Sequence, residues 1–264
     1  MMKAREILLY LAIKHKGNFD EMYSAIKAKE KVTEQELREA IKSFDGRYVT
    51  IIDEDYPPRL KSIFKPPLVL FYKGNYELIN ENRPLLSVVG SREASSYSNK
   101  MVGEICEDMA KKGVGIISGL AKGIDTSALV AANKYGKAVA ILGTSLTCYY
   151  PAENSELQDK IGRDGLLLSE FPPGVGPSKT NFPLRNRIMV GLSKSLLVGE
   201  VKRKSGTLIS VSLALEMGSE IGVLPFRADD DTYNNKLIQE GAYLIASSDD
   251  LLSYFSTFSS LREK

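Results

Sequence analysis

The residues of this sequence best suited to chemistry are cations, and they gather at the start of one apolar segment. Phe182–Ser193 reads FPLRNRIMVGLS, with two arginines and an asparagine near its start. The glycine-rich loop before it adds Lys179. Arginine has a permanent charge and a planar fork that matches phosphate oxygens. The pattern predicts either a phosphate-binding corner or an ordinary helix start with solvated arginines.

The net charge of +2 conceals an uneven distribution of charge. Between Lys179 and Lys204 there are seven basic residues and one acidic residue, Glu200, whereas residues 205–264 carry four basic and nine acidic residues. Focused positive charge attracts polyanions such as nucleic acids. This argument holds if the cluster in the sequence is also a cluster in space.

The sequence offers few combinations of residues that are suited to catalysis. The single histidine, His15, lies between two lysines in a predicted helix, which nearly excludes a histidine base. Cys106 and Cys148 fit a reducing cytoplasm and have no metal-ligand spacing, so we expect neither a metal nor a cofactor. Glu170 and Glu200 each follow a predicted strand and could form an acid pair. The neighbouring arginines favour structural ion pairs instead.

Apolar runs of about five residues alternate with amphipathic helix-length stretches from Pro84 onward. Such runs predict a parallel sheet that is covered on both faces. Right-handed crossovers then give a doubly wound α/β domain. No run is long enough to span a membrane. The predicted strands are Leu85–Val89, Val114–Ile117, Ala138–Leu142, Leu166–Ser169, Ser195–Val198 and Ile221–Leu224.

The N-terminal part has a different pattern. Residues 2–45 predict three helices, of which the first is Met2–His15. Asn18 and Thr33, each followed three residues later by a glutamate, predict the caps of the next two. Two proline pairs then interrupt the chain between two short predicted strands. We expect a small helical domain over 1–47, a connector over 48–83 and the α/β domain over 84–264, with the two short strands at Tyr48–Ile52 and Leu68–Tyr72.

Ligands of doubly wound sheets bind at the carboxyl ends of strands, so the residues after each run are candidates. Glycines there allow close approach of the backbone, and amides at helix starts attract anions. Dinucleotide and phosphate-loop fingerprints are absent, since Arg92 stands where a second glycine would be needed. Asp125 follows Gly123 at a predicted helix start, where its expected role is to cap the helix or to favour its dipole.

Taken together, these segments resemble the bacterial DNA-processing protein A family (DprA/Smf). The resemblance runs over residues 84–245 and implies an extended Rossmann-like domain, often preceded by a small helical domain. It implies a non-enzymatic, dimeric protein that protects incoming single-stranded DNA and helps to load the RecA recombinase during natural transformation. The matching segments are VVGSR (88–92), SGLAKGID (118–125), Gly143 with Tyr150, Pro151 and Asn154, LSE (168–170), FPLRNRIMVGLS (182–193), SGTLI (205–209) and LIQEGA (237–242).

The resemblance assigns roles to residues as well. It places the family's phosphate-contacting cations on Arg92 and Lys179, and the Phe182–Arg187 segment along the same pocket. Arg185 and Arg187 are two residues apart, so on a helix they point to different faces, and one of them is expected to reach the pocket. The candidate contacts are Gly90, Ser91, Arg92, Ser118, Gly119, Lys122, Gly123, Lys179, Asn181, Phe182, Arg185, Asn186, Arg187, Ser205, Gly206 and Thr207.

The family's dimer contacts fall on Asn235, Ile238 and Leu244. The sequence departs from the family pattern at other positions, where a histidine, a basic residue and a glycine are usual. We expect no C-terminal winged helix of the kind that many members carry. The departures are Leu129, Ala152 and Phe226.

Two other functions remain open. A nucleotide phosphoribohydrolase resembling the LOG family would share the turn at Ser205–Thr207, but that family's paired glycines and glutamate are missing here. A small-nucleotide sensor would use the same pocket and act on a partner. Calorimetry with mononucleotides and a short oligonucleotide distinguishes these functions.

Overall fold

The computed structural model describes residues 4–203 and 205–261, and the strands within them form one nine-stranded sheet. The strands are β1 (Arg47–Thr50), β2 (Val69–Gly74), β3 (Leu85–Val89), β4 (Gly115–Ser118), β5 (Ala138–Ile141), β6 (Leu166–Ser169), β7 (Ser195–Val198), β8 (Glu220–Val223) and β9 (Tyr243–Leu244). Their order is β1-β2-β6-β5-β4-β3-β7-β8-β9. Strands β3 to β9 pair in parallel, whereas β1 and β2 add to one edge in antiparallel orientation.

The sheet confirms the predicted Rossmann-like α/β class with a mostly parallel sheet. Three predicted strands have the observed bounds, and the others shift by one or two residues. The α-helices in this part of the chain are α1 (Ala4–Lys14), α2 (Phe19–Lys27), α3 (Glu34–Ser43), α4 (Ser96–Lys111), α5 (Ile124–Asn133), α6 (Ser155–Asp164), α7 (Asn181–Leu192), α8 (Thr207–Glu216), α9 (Asn234–Gln239) and α10 (Ser248–Tyr254).

Both faces of the sheet are buried, each in its own apolar core. Adjacent residues of β4 show the alternation, since Ile116 packs in one core and Ile117 in the other. Helices α4, α5 and α10 cover one face, and α7 and α8 cover the other. This burial on both sides explains why the strands are continuous apolar runs in the sequence.

Helices α1 to α3 pack against the antiparallel edge of the sheet. Leu9 and Met22 share a core with Val69 and Phe71 of β2. The side chain of Asn18 accepts hydrogen bonds at the start of α2, and a capping box opens α3, as the sequence predicted. Residues 1–3, which include the predicted start of the first helix, lie outside the described residues.

The strand order reverses around β3. The chain proceeds from β3 through β6 on one side and then crosses to place β7 on the other. Such a reversal leaves a crevice between the carboxyl ends of the two strands, because their connections leave in opposite directions. Over residues 4–203 and 205–261, none of the helices has the length and apolar character needed to cross a membrane.

Candidate nucleic-acid interface

A cleft of about 740 Å³ opens at the carboxyl ends of β3 and β7. Its lining includes the loop Gly90–Arg92 after β3 and the loop after β7 that carries Lys202 and Arg203. The starts of α7 and α8 complete it. The cleft therefore lies at the reversal of strand order, where doubly wound sheets bind their ligands.

Four exposed cations surround this cleft. They come from three separate loops. Of the basic cluster in the sequence, Lys179, Lys202 and Arg203 come together here with the buried Arg185, whereas Arg187 and Lys194 lie elsewhere. Within the residues that the structure describes, none of the four forms an ion pair. The carboxylates in the lining are Glu93 and Asp125. The cations are Arg92, Lys179, Lys202 and Arg203.

Two aromatic rings lie beside the cations. Tyr150 and Phe182 stack with ring centroids 5.1 Å apart and an angle of 29° between their planes. The Arg92 guanidinium lies 6.0 Å from the centroid of Phe182. A Cβ at Gly143 would lie 2.7 Å from Cδ1 of Phe182, so the glycine makes room for the ring. Rings next to free cations can stack on bases while the cations hold phosphates.

Hydrogen bonds fix the loop that carries Arg92. The backbone N–H of Ser91 donates to the carbonyl of Glu200 at 2.7 Å, and the N–H of Ile124 donates to the carbonyl of Ser91 at 3.2 Å. Gly123 has φ +72°, and a Cβ there would overlap the Ser91 carbonyl. The glycine thus allows the two loops to touch, which holds Arg92 at the mouth of the cleft.

Glu200 does not face Glu170 as one half of an acid pair. Its carboxylate accepts hydrogen bonds from the backbone N–H of Ser95 and the hydroxyl of Ser98, each at 2.8 Å. It therefore stabilises the start of α4, where a negative charge is also favoured by the helix dipole. The structure excludes the paired-carboxylate hypothesis for these two residues.

Arg185 forms the charged floor of the cleft. Its Nη1 donates to the carbonyl of Ile141 at 2.5 Å, and its Nε donates to Oδ1 of Asn186 at 3.1 Å. A Cβ at Gly119 would overlap the guanidinium. Burial lowers the pKa of Arg185 to about 10, with the negative charge of Asp125 opposing the shift. The group is therefore still a cation at neutral pH.

Asp125 stabilises a turn rather than capping α5. Its Oδ2 accepts hydrogen bonds from the backbone N–H groups of Gly119 and Ala121, at 3.1 and 3.2 Å. Burial raises the pKa of this carboxyl, and the charge of Arg185 and these hydrogen bonds oppose the rise. The capping role is wrong, since Gly123 begins α5 without a side-chain cap, whereas Asp125 does lie in the first turn of α5, where the dipole favours a negative charge.

Arg187 lies away from the cleft. Its Nη1 and Nη2 donate to the two carboxylate oxygens of Glu170 at 2.7 and 2.6 Å, and both side chains are only 3% exposed. Its Nε donates to the carbonyl of Lys65 at 3.1 Å. The geometry corrects the inclusion of Arg187 among the phosphate contacts and identifies Arg185 as the arginine of this helix that reaches the cleft. A two-residue separation on a helix forces this division.

Some of the remaining candidate residues line the cleft, and the others support the loops around it. Ser118 is buried and its hydroxyl donates to the carbonyl of Val88 at 2.7 Å, while Lys122 pairs with Glu153. Gly119, Gly123 and Asn181 also lie outside the lining, the two glycines in the supporting turn. The candidates that line the cleft are Gly90, Ser91, Arg92, Lys179, Phe182, Arg185, Asn186, Ser205, Gly206 and Thr207.

Sequence reasoning missed some lining residues. Lys202 and Arg203 lie in the loop after β7, and their place in a loop that follows a strand is the signal that could have identified them. Tyr150 belongs to one of the segments that carry the family resemblance, but it was not among the candidate contacts. Lys204, the third member of the basic run, lies outside the described residues.

The predicted dimer residues lie along one edge of the sheet. Ile238 is on α9, and Leu244 is on the edge strand β9, where it is 47% exposed. Asn235 is occupied within the chain, since it accepts from the N–H of Phe226 and donates to its carbonyl. Tyr243 stacks on Tyr254 with centroids 5.4 Å apart. An edge strand with exposed apolar side chains is suited to pairing with another chain.

The residues that depart from the family pattern have different environments. Leu129 is fully buried in the core beneath α4 and α5, where a leucine packs well. Ala152 is exposed. Phe226 makes an edge contact with Tyr97, with centroids 5.4 Å apart.

Comparisons with known proteins agree with this architecture. Residues 47–256 match the family described as DNA recombination-mediator protein A. The chain is similar to DNA processing protein DprA of Streptococcus pneumoniae (strain ATCC BAA-255 / R6), with 44% identity over 209 residues that cover 78% of this chain and 73% of that protein. DprA of Bacillus subtilis (strain 168) is 39% identical over 206 residues, which cover 77% and 69% of the two chains.

Solved structures give the same result. The X-ray structure of DprA from Streptococcus pneumoniae has a TM-score of 0.76 and 35% identity, with 96% of this chain and 94% of that chain covered. DNA processing protein A from Helicobacter pylori, in a structure concerned with its single-stranded DNA binding mode, has a TM-score of 0.72 and 28% identity. There, 83% of this chain and 97% of that chain are covered.

Proposed function

Because the chain belongs to the DNA recombination-mediator protein A family, we propose that its cleft binds single-stranded DNA. The observation that carries the proposal is the group of four unpaired cations beside two stacked aromatic rings. A single strand offers phosphates and open base faces together, so this combination suits it. The similar Helicobacter pylori protein, which is described as binding single-stranded DNA, supports the same assignment.

The cations and rings have separate tasks in this proposal. Arg92 and Lys179 contact phosphates from one side, and Lys202 and Arg203 contact them from the other. Arg185 adds a buried positive charge beneath the strand, where screening by salt is weak. The Tyr150 ring, 43% exposed, offers a stacking surface for a base. Contacts of this kind predict strong salt dependence and little sequence preference.

We propose that the protein protects and delivers DNA without altering it. The cleft carboxylate Asp125 is engaged by two backbone amides, which favours a supporting role over proton transfer. Delivery to a RecA recombinase during natural transformation, in a bacterial cytoplasm, is the corresponding biological role. The family's description as a recombination mediator supports this part of the proposal.

We also propose a homodimer that forms through the β9 edge. Ile238 and Leu244 supply apolar contact area, and the exposed strand supplies unpaired backbone groups. Asn235 would contribute by holding the adjoining loop in place. Sedimentation of the chain and of a Leu244→Glu variant tests this, since a buried charge at the interface should yield monomers.

The DNA proposal is tested by anisotropy with a labelled single-stranded oligonucleotide at fixed salt. Arg92→Ala with Lys179→Ala removes two exposed phosphate contacts, and we expect at least about a 100-fold weaker affinity. Lys42→Ala with Lys160→Ala removes the same charge away from the cleft and serves as the control. Equal affinity of the two double variants would show that the assigned site is wrong.

The same protein tests the alternatives. Calorimetric binding of a mononucleotide as tightly as an oligonucleotide would favour a small-nucleotide sensor. Release of free base from a nucleoside monophosphate would establish the phosphoribohydrolase instead. We expect neither result, because the four unpaired cations come from three separate loops, which suits a ligand with several phosphates.

A further inference from the structure

A second groove lies at the opposite ends of the two strands that form the cleft. It has a volume of about 470 Å³ and adjoins the start of β3 at Pro84 and the start of β7 at Lys194. β3 contains five residues, so roughly 16 Å separates the groove from the cleft at about 3.3 Å per residue. A single phosphate cannot bridge that distance, and the two regions are therefore separate sites.

The charged lining of this groove is mostly positive. Arg59 comes from the short helical turn Pro58–Ser62, Arg83 from the loop before β3, and Lys194 from the junction of α7 and β7. Glu81 is the carboxylate in the lining. Within residues 4–203 and 205–261, the three cations form no ion pair. Three segments distant in sequence thus bring unneutralised positive charge to one concave surface.

Arg59 is the anchor of the group because its charge is partly buried. Its Nη1 donates to the carbonyl of Leu192 at 3.2 Å, a neutral acceptor that leaves the charge uncompensated. Burial lowers the pKa of this guanidinium, as expected where no carboxylate offsets the loss of water. A bound anion would compensate the positive charge of Arg59 and accept hydrogen bonds from its remaining N–H groups.

The rest of the lining fits an organic phosphate. Ser260 adds a hydroxyl group that can donate to a phosphate oxygen, whereas Ser256 and Thr257 already bind the Glu220 carboxylate. Pro57, Ile79 and Leu192 provide an apolar wall against which a sugar or base can pack. The volume is within the range of pockets that hold nucleotide-sized ligands.

We propose that this groove is a second anion site, which binds the phosphate group of a nucleotide-sized ligand. The phosphate can belong to a free nucleotide or to the 5′ end of a nucleic acid, since both present the same dianionic group. The site is independent of the proposed DNA cleft, and either can exist without the other.

The test uses the full chain with the cleft weakened by Arg92→Ala and Lys179→Ala. Calorimetry measures the binding of a nucleoside monophosphate and of a trinucleotide with either a 5′-phosphate or a 5′-hydroxyl. In this background, Arg83→Gln with Lys194→Gln removes two exposed charges and leaves Arg59 in place. We expect a loss in phosphate affinity of about tenfold or more. Lys42→Gln with Lys160→Gln, the control, should leave the affinity unchanged.

The two sources of phosphate give different results. Tighter binding of the 5′-phosphorylated trinucleotide than of its 5′-hydroxyl form, at a site sensitive to the Arg83 and Lys194 changes, assigns a nucleic-acid end. Sensitivity of the mononucleotide alone assigns a free nucleotide. Equal affinities in the groove and control variants, or no binding of any phosphate probe, would overturn the proposal. Thermal unfolding of each variant verifies that it is folded.

Discussion

Arginine has opposite roles in the cleft and in the region beneath α7, which is the buried pair of Arg187 and Glu170. Arg92 is exposed, has no carboxylate partner among the described residues and lies against an aromatic ring. Arg187 is 3% exposed and gives both of its terminal nitrogens to Glu170. One is available to a ligand, whereas the other is already neutralised inside the protein. Burial and the presence of a carboxylate partner, rather than residue type, therefore determine whether an arginine is available to a ligand.

Arg185 shows the intermediate case. It is buried like Arg187, but it is bound to a carbonyl and an amide oxygen instead of to a paired carboxylate. Its charge is therefore only partly compensated and adds to the potential of the cleft above it. Changes beneath α7 should consequently alter stability, and changes at the cleft rim should alter binding.

The largest effect is expected from Arg187→Ala. Removing this side chain leaves the Glu170 carboxylate buried and unpaired, which costs about 3–5 kcal/mol. Chemical denaturation measures the free energy of unfolding, with Lys160→Ala as the exposed control. A change below about 0.5 kcal/mol, the range of ordinary surface substitutions, would mean that the pair is not the support we describe.

Gly119→Ala should have the next largest effect. The added Cβ would overlap the Arg185 guanidinium, so the side chain or the turn must move, at a cost of about 1–3 kcal/mol. Gly103→Ala is the matched control, because no atom lies within 4 Å of its added Cβ and it is in α4. If both variants have the same unfolding midpoint, the close approach of Gly119 to Arg185 does not occur.

Arg203→Gln should alter binding without altering stability. Removal of one phosphate-binding charge reduces the slope of log affinity for a single strand against log salt by about 0.7. The slope is measured by anisotropy at several salt concentrations, and Lys122→Gln, already paired with Glu153 outside the cleft lining, should leave it unchanged. An unchanged slope for Arg203→Gln removes that residue from the interface.

The smallest effect concerns pH. Burial raises the pKa of Asp125 in the folded protein, so the folded state holds this proton to a higher pH than the unfolded state does. The contribution of this group to stability is therefore lost as pH rises above about 4, the usual Asp pKa. Relative to Asp125→Asn, the wild type should lose stability as pH rises above about 4 in denaturation experiments. If the stability of the wild type relative to Asp125→Asn instead increases as pH rises above about 4, the direction of the Asp125 pKa shift is wrong.

Much of the sheet could be predicted because a strand that is buried on both faces is a continuous apolar run in the sequence. The bounds of β3, β6 and β7 follow directly from those runs. The two residues of β9 are too short for any periodicity to reveal, and the attachment of β1 and β2 to the β6 edge depends on tertiary contacts. The position of the cleft followed from the rule on strand ends, without knowledge of the side chains.

The roles of individual side chains were harder to predict. The spacing of Arg185 and Arg187 showed that they must point to different faces, but only the position of Glu170 shows which of them lies away from the cleft. Asp125 bonds to the turn before its helix because Leu120, with φ +58°, bends the backbone amides toward it. Such contacts join residues through space and leave no pattern in the sequence.

The central claim is that unpaired cations at the cleft bind single-stranded DNA, and its most direct measurement is oligonucleotide affinity as a function of salt. For Arg92→Ala with Lys179→Ala we predict at least about a 100-fold weaker affinity, a salt slope reduced by about 1.4 and an unfolding midpoint close to that of the wild type. Wild-type affinity and slope in this double variant, with the control pair Lys42→Ala and Lys160→Ala behaving identically, would contradict the account.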